Sequence, residues 1–133
     1  MSIILSQRSL SRLDEAHPDL RKVAIHAARI SDLDFTVLEV LRTIERQREL
    51  FAKGATRTMK SRHLAHPADG KARAMDLAPM IGGAVSWDWP LYHRLANIVK
   101  RAALAVGVPI EWGGGWRTFK DGPHWQLPWA QYP

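Results

Sequence analysis

Two histidines and two aspartates are the residues of this chain whose types and surroundings could do chemistry together. His63 stands near the start of the stretch from Ser61 to Pro79, SRHLAHPADGKARAMDLAP. Asp76 closes that stretch in the apolar run AMDLAP, where an unpaired carboxylate is costly to bury and usually keeps a cation for company. His124, in DGPHWQL, also precedes an apolar, strand-like run and could bring a third ligand. Two histidines and one aspartate around an open fourth position make the ligand set of a catalytic zinc rather than a structural one. Asp121 lies three residues before His124 across a Gly-Pro turn, placed to take a proton from water beside the metal without ligating it. Arg42 ends an apolar run, and its guanidinium could pin a carbonyl or a carboxylate. There is no HExxH, and such spacings also arise by chance. His66 is a rival to His63, because HLAH puts both in one loop. His63 is preferred, since His66 precedes Pro67 and reads as part of an exposed turn.

The elements that must position these residues can be read from periodicity and punctuation. Ser6 is placed to cap a short helix, QRSLSRL, and His17-Pro18 opens a second one. Leu20, Val23, Ala24, Ala27 and Ile30 recur at helical spacing and form its buried stripe. His17 and His26 are expected to be structural or solvated. DFTVLEVL, Asp34 to Leu41, reads as a strand buried on both faces with Glu39 inside. Thr43 is an N-cap for IERQRELFAK, Gly54 ends that helix, and ATRTMK is a loop. HPADG then makes an exposed turn leading into a strand, KARAMDLAP, with Gly82-Gly83 turning after it. Asp88 and Pro90 start the most amphipathic helix of the chain, which Gly107 and Pro109 end. Arg94, Lys100, Arg101 and His93 fall on its solvated side. VPIEWGGGWRTFKDGPHWQLPWAQYP reads as a strand, a glycine-rich loop whose backbone passes close to something, and a last strand. Segregated helices with a few short strands predict an α+β fold with a small, mostly antiparallel sheet.

Composition narrows the classes. At 133 residues, 46% hydrophobic and 24% charged, the chain is expected to be one soluble domain, residues 1–133, with a real core. It has no cysteine, which excludes disulfides, thiolate metal sites and a cysteine nucleophile. MSIILSQRSL lacks the basic start and long apolar core of a signal peptide. No apolar run approaches the roughly 18 residues needed to cross a bilayer. The expectation is synthesis in the cytoplasm, with any target outside it reached by another route. A formal charge of +6 favours polyanionic surroundings, among them an acidic cell wall. A nucleic-acid binder should cluster its basic residues with exposed aromatics. Here Lys and Arg are spread along the chain, so no nucleic-acid partner is expected, and nothing points beyond a monomer. The six tryptophans gather in sequence around the metal-site segments; most are expected to be core, with Trp116 or Trp125 available to line a substrate groove.

Several segments together resemble a known family. VLEVLRTIERQRELFAKGAT, SRHL, AMDLAP, WDWPLYHRLA, GVPIEWGGGW and FKDGPHWQL cover about three quarters of the chain and follow one another in the family's order. The pattern is similar to the M15 family of zinc D-Ala-D-Ala carboxypeptidases and L-alanyl-D-glutamate endopeptidases, in particular its small phage endolysins. The resemblance implies a Hedgehog/DD-peptidase-like domain in which His63, Asp76 and His124 bind zinc. It also implies that Asp121 is the catalytic carboxylate and Arg42 the substrate-binding arginine. The implied activity is hydrolysis of the L-Ala–D-Glu bond in the peptidoglycan stem peptide, in the periplasm or wall once a holin-type partner opens the host membrane. The alternatives are a D-alanyl-D-alanine carboxypeptidase or dipeptidase on the same scaffold, and a non-catalytic zinc-bearing wall-binding module. Two features depart from the family pattern. The motif SxHxxGxAxD is stretched here, with His63 and Asp76 thirteen residues apart, so that six extra residues must loop out. The loop usually written WGGDW is WGGGW, with Gly115 in place of the aspartate.

Overall fold

The computed structural model describes all 133 residues. The helices begin and end where local chemistry predicts. Ser6 accepts from the Ser9 amide to cap α1, Gln7–Leu13. The His17 side chain accepts from Asp19 N ahead of α2, Pro18–Ile30, so this histidine is a cap. Thr43 caps α3, Ile44–Ala52, by accepting from Arg46 N. The longest helix, α4, runs Trp89–Val106 and ends at Gly107, whose φ of 71° is the left-handed turn that glycine adopts at least cost. Leu20, Val23, Ala24 and Ala27 of α2 and Leu95, Ile98, Val99 and Ala102 of α4 are all buried. These two stripes face each other, and α4 also packs on the sheet.

The strands are β1 Phe35–Glu39, β2 Ala74–Ile81, β3 Ala84–Val85, β4 Glu111–Trp112 and β5 His124–Gln126. They pair antiparallel in the order β1-β2-β5-β4, with β3 turning back on β2 through Gly82 and Gly83. An α+β fold with a small antiparallel sheet is therefore what forms. The boundaries differ from the sequence reading. β2 starts at Ala74 rather than Lys71, because Arg73 is spent on the preceding turn with Asp69. β1 is shorter than Asp34 to Leu41 and is not buried on both faces: Phe35 and Val37 are buried, whereas Thr36, Leu38 and Glu39 are half-buried. Glu39 is not an interior acid; it pairs with Arg42 at the edge of a groove.

Strand alternation then decides which side chains meet. Met75 and Leu77 of β2, with Trp125 and Val37 opposite them, are almost fully buried in the core shared with the helices. Asp76 lies between Met75 and Leu77 and so points to the other face. His124 is its partner on β5, and Glu39 its partner on β1, just past a register shift after Val37. Such an irregularity re-aims the residue that follows it. One row across three strands thus carries Glu39, Asp76 and His124.

The lengthened segment between His63 and Asp76 is an ordered turn. His66 N donates to Lys71 O, Gly70 N to His66 O, and Gly70 takes a φ of 71°. Asp69 accepts from Lys71 N and from Arg73, and Ala72 bridges to Ala16. The extra residues fold on themselves beside the sheet and leave His63 free to reach Asp76.

Candidate metal centre and substrate groove

His63 reaches the row from a loop held by its backbone. Arg42 N donates to His63 O at 2.9 Å, and Arg73 N to Arg62 O at 2.8 Å. The neighbouring Arg62, itself buried, donates to the carbonyls of Leu127 and Tyr132. These contacts tie the loop to the ends of β1, β2 and β5.

The ring nitrogens of both histidines are assigned by their neighbours. His63 Nδ1 lies 2.7 Å from the Val40 carbonyl, which can only accept, so Nδ1 carries the proton. Its Nε2 lone pair therefore faces Asp76 Oδ1, at 3.1 Å. Gln126 Nε2 donates to the Glu111 carboxylate at 3.3 Å, which turns Gln126 Oε1 toward His124. His124 Nε2 donates to that oxygen at 2.7 Å, leaving Nδ1 to face Asp76 Oδ1 at 3.4 Å. Two imidazole lone pairs and a carboxylate converge with no hydrogen-bond donor among them. Their ligand atoms all lie within 4.8 Å of one another. A cation belongs at such a point, and one divalent metal fits the donor set.

Without a metal, a proton must serve. Burial works to lower the His124 imidazole, but the hydrogen bond and charge of Asp76 raise it. Burial likewise works to raise the Asp76 carboxyl, yet His63 and His124 hold it below the usual carboxylate range.

His66, the rival ligand, is elsewhere. Its Nε2 pairs with the Pro133 carbonyl at 2.9 Å, and its Nδ1 accepts from Ala68 N. Asp121 is not in the ligand cluster, but it lines the same groove as His63 and His124. Burial, with the charge of Asp76, raises its carboxyl above the ordinary value. Its backbone is fixed by Gly113, whose carbonyl accepts from Asp121 N. A Cβ at Gly113 would stand 2.6 Å from Asp121 O, and one at Gly114 would enter the Trp112 ring. Those two glycines are the close approach that the GGG run implied. Gly115 faces open space, so its lost side chain leaves a gap at the surface and no packing demand. Behind this turn Tyr92 packs on Gly122; its buried hydroxyl has no partner, and burial with Asp121 and Asp76 pushes it up to about 12.

Arg42 is aimed by two residues, Glu39, which the sequence suggests is a strand-interior acid, and Gln47, which it does not mark. Glu39 accepts from its Nε and Nη2, and Gln47 Oε1 from its Nη1 at 2.8 Å. Gln47 is fully buried and donates in turn to Thr58 O. One N–H on each terminal nitrogen is left for the groove, a cavity of about 570 Å³ that His63, His124, Asp121 and Arg42 all line. Of the tryptophans, Trp116 and Trp129 line it. Trp125 does not: at 1% exposure it stacks on Trp112 in the core. Nor are most tryptophans core, since Trp87, Trp89 and Trp129 are exposed. Gln126 was legible in principle, because a residue two beyond His124 on a strand shares its face.

A small α+β domain with two buried histidines and a half-buried aspartate converging at the floor of an open groove, and a carboxylate beside them, has the build of a metallohydrolase. Comparison with known proteins narrows this: the chain belongs to the phage L-alanyl-D-glutamate peptidase family, which it matches over residues 1–126. It is 27% identical over 125 residues to the L-alanyl-D-glutamate peptidase of Escherichia phage T5, covering 91% of this chain and 87% of that protein. It is also 27% identical over 110 residues to the peptidoglycan L-alanyl-D-glutamate endopeptidase CwlK of Bacillus subtilis, covering 76% of this chain and 65% of that one. The crystal structure of the Serratia marcescens L-Ala D-Glu endopeptidase ChiX superposes with a TM-score of 0.88 at 44% identity, over 98% of this chain and 94% of that one.

Proposed function

We propose that this protein is a zinc-dependent peptidoglycan endopeptidase that hydrolyses the L-Ala–D-Glu bond of the stem peptide. The observation that carries the reading is the convergence of His63 Nε2, Asp76 Oδ1 and His124 Nδ1, each held by its own strand or backbone partner. His63, Asp76 and His124 would hold the ion; when bound, zinc supplies Lewis acidity and makes water nucleophilic at neutral pH.

Asp121 accepts the proton of the attacking water and returns it to the leaving amine of D-Glu. Its burial suits it to that exchange, because a raised carboxyl binds a proton more readily than an ordinary one. Arg42, aimed by Glu39 and Gln47, offers its remaining N–H groups to the oxygen on which charge develops or to a substrate carboxylate. Trp116, whose ring lies 5.2 Å from that of His124, gives the groove an apolar wall beside the reacting bond. As in phage lysis, the enzyme would meet its substrate once a holin-type partner opens the membrane, and would act as a monomer. No helix here is long and apolar enough to cross a membrane.

The test is digestion of purified peptidoglycan with and without a chelator, the products being read by mass spectrometry. New L-Ala carboxyl and D-Glu amino ends, restored by added zinc and absent with Asp121→Ala, are expected. Release of terminal D-Ala instead would move the substrate to the carboxypeptidase alternative. Wall binding without any cleavage would leave only a binding module.

A further inference from the structure

The groove is lined by four cations, Arg42, Arg57, Lys60 and Arg62, and by one carboxylate, Asp121. Two of the cations are already committed. Arg42 is held by Glu39 and Gln47, and Arg62 is spent on two backbone carbonyls beneath the Trp129 ring. Arg57 and Lys60 are not: neither side chain enters an ion pair or a hydrogen bond, and both are exposed on the loop between α3 and His63. That loop, Gly54 to Ser61, has no acidic residue. Across the groove mouth Phe119 holds its ring under the Arg57 guanidinium, 5.0 Å from centroid to Cζ. Phe119 is the one non-glycine residue with a positive φ, 52°. Backbone held in that region by a bulky residue marks a place where position matters more than local comfort. The result is two unpaired positive charges, one seated on an aromatic rim, facing into the groove that ends at the metal ligands.

The substrate of the proposed reaction is lopsided in charge. On the amine side of the scissile bond, D-Glu linked through its side chain keeps a free α-carboxylate, and a diaminopimelate in the next position brings another. The L-Ala side carries none. We propose that Arg57 and Lys60, with Phe119 as their rim, form an anion subsite. It takes a carboxylate of the leaving half of the peptide and so sets which way the substrate lies across the metal. This rests on the endopeptidase reading above. The subsite acts by charge complementarity in an open groove, so its contribution is to substrate capture and discrimination rather than to the chemical step.

The experiment uses the zinc-loaded 133-residue protein and three synthetic peptides: L-Ala-γ-D-Glu-diaminopimelate, the same peptide with the D-Glu α-carboxylate amidated, and one with the third residue's carboxylates amidated. Wild type should cleave the acid faster than one of the amides by about five- to tenfold in kcat/KM, the scale of two exposed charge pairs, with the difference in KM. Which amide is disfavoured identifies the carboxylate that binds. In Arg57→Gln/Lys60→Gln the acid-to-amide ratio should fall toward one. Arg101→Gln, which removes a charge from α4 that does not line the groove, should keep the wild-type ratio. An equal rate on all three peptides by wild type would overturn the subsite while leaving the peptidase standing. So would a ratio that survives the double substitution, or one that Arg101→Gln lowers as much. No cleavage of any peptide or of whole peptidoglycan by the folded, zinc-loaded protein would overturn the endopeptidase reading itself.

Discussion

The floor and the rim of the groove are built on opposite plans. At the floor, Asp76 and His124 sit in one cross-strand row, His63 is tied to that sheet by backbone hydrogen bonds, and every ring nitrogen has an assigned task. At the rim, Arg57, Lys60 and Phe119 lie on loops and are exposed, and the two cations have no acidic partner. The contrast has a physical basis. A metal tolerates little error in ligand direction, and paired strands whose rotamers are locked by second partners supply that accuracy. Long-range charge attraction needs no such accuracy, and a loop can supply it while remaining free to adapt. Asp76 and His124 stand in the sheet and the His63 loop is bonded to it, whereas the proposed anion subsite lies wholly on loops.

The largest effects should come from breaking the floor. Asp76→Ala should abolish zinc binding, read by calorimetry, and with it cleavage of peptidoglycan. Asp121→Asn should leave zinc bound but lower kcat by about 10²–10⁴, the usual worth of a positioned general base. Retention of near-wild-type turnover by Asp121→Asn would move the proton-transfer role to another group.

The next effect down probes the supports of the ligands. Gln126→Leu removes the oxygen that accepts from His124 Nε2 and so leaves Nδ1 facing Asp76. It should weaken zinc binding about 10–100-fold, as loss of a ligand's orienting partner commonly does. Glu111→Gln should weaken it less, because it only frees the Gln126 amide to turn over.

Adjacent glycines sharpen the comparison within one turn. Gly113→Ala would press a Cβ against Asp121 O and should cost about 1–3 kcal/mol in unfolding experiments, with activity falling as the Asp121 turn shifts. Gly115→Asp meets open space and should fold as wild type.

The smallest effect is a dependence of stability on pH. In the metal-free protein the raised His124 contributes stability that is full below the ordinary imidazole value of 6.5 and is lost as pH rises through its higher folded value. Asp76, depressed on folding, contributes above the ordinary 3.8 and loses that contribution as pH falls through its lower folded value. The pair therefore supports the metal-free fold between those limits. Zinc needs both imidazoles neutral, so the extra stability it confers should grow with pH. Melting curves with zinc and with chelator should draw together on the acid side and separate on the alkaline side. A constant gap would mean that His124 does not exchange its proton for the metal.

Much of this was legible in the chain before any coordinates. Caps and stops are local chemistry, so Ser6, Thr43 and Gly107 could be read directly, as could the stripes of α2 and α4. Asp76 and His124 beside apolar, strand-like runs, with His63 in a nearby loop, point to a catalytic metal, and the family resemblance implies the same three positions. What only the tertiary structure decided depends on partners far apart in sequence. The register that puts Asp76 opposite His124, the pairing of β4 with β5 that lets Glu111 orient Gln126, and the removal of His66 to the Pro133 carbonyl are non-local choices. So is the placing of the basic loop that carries Arg57, Lys60 and Arg62 against the same groove as Arg42, and the assignment of Trp125 to the core and Trp129 to the groove. Periodicity reports which face of an element is apolar, but not which other element will stand against it. That second fact comes from packing the whole sheet at once, and it is what turns four scattered polar residues into a site.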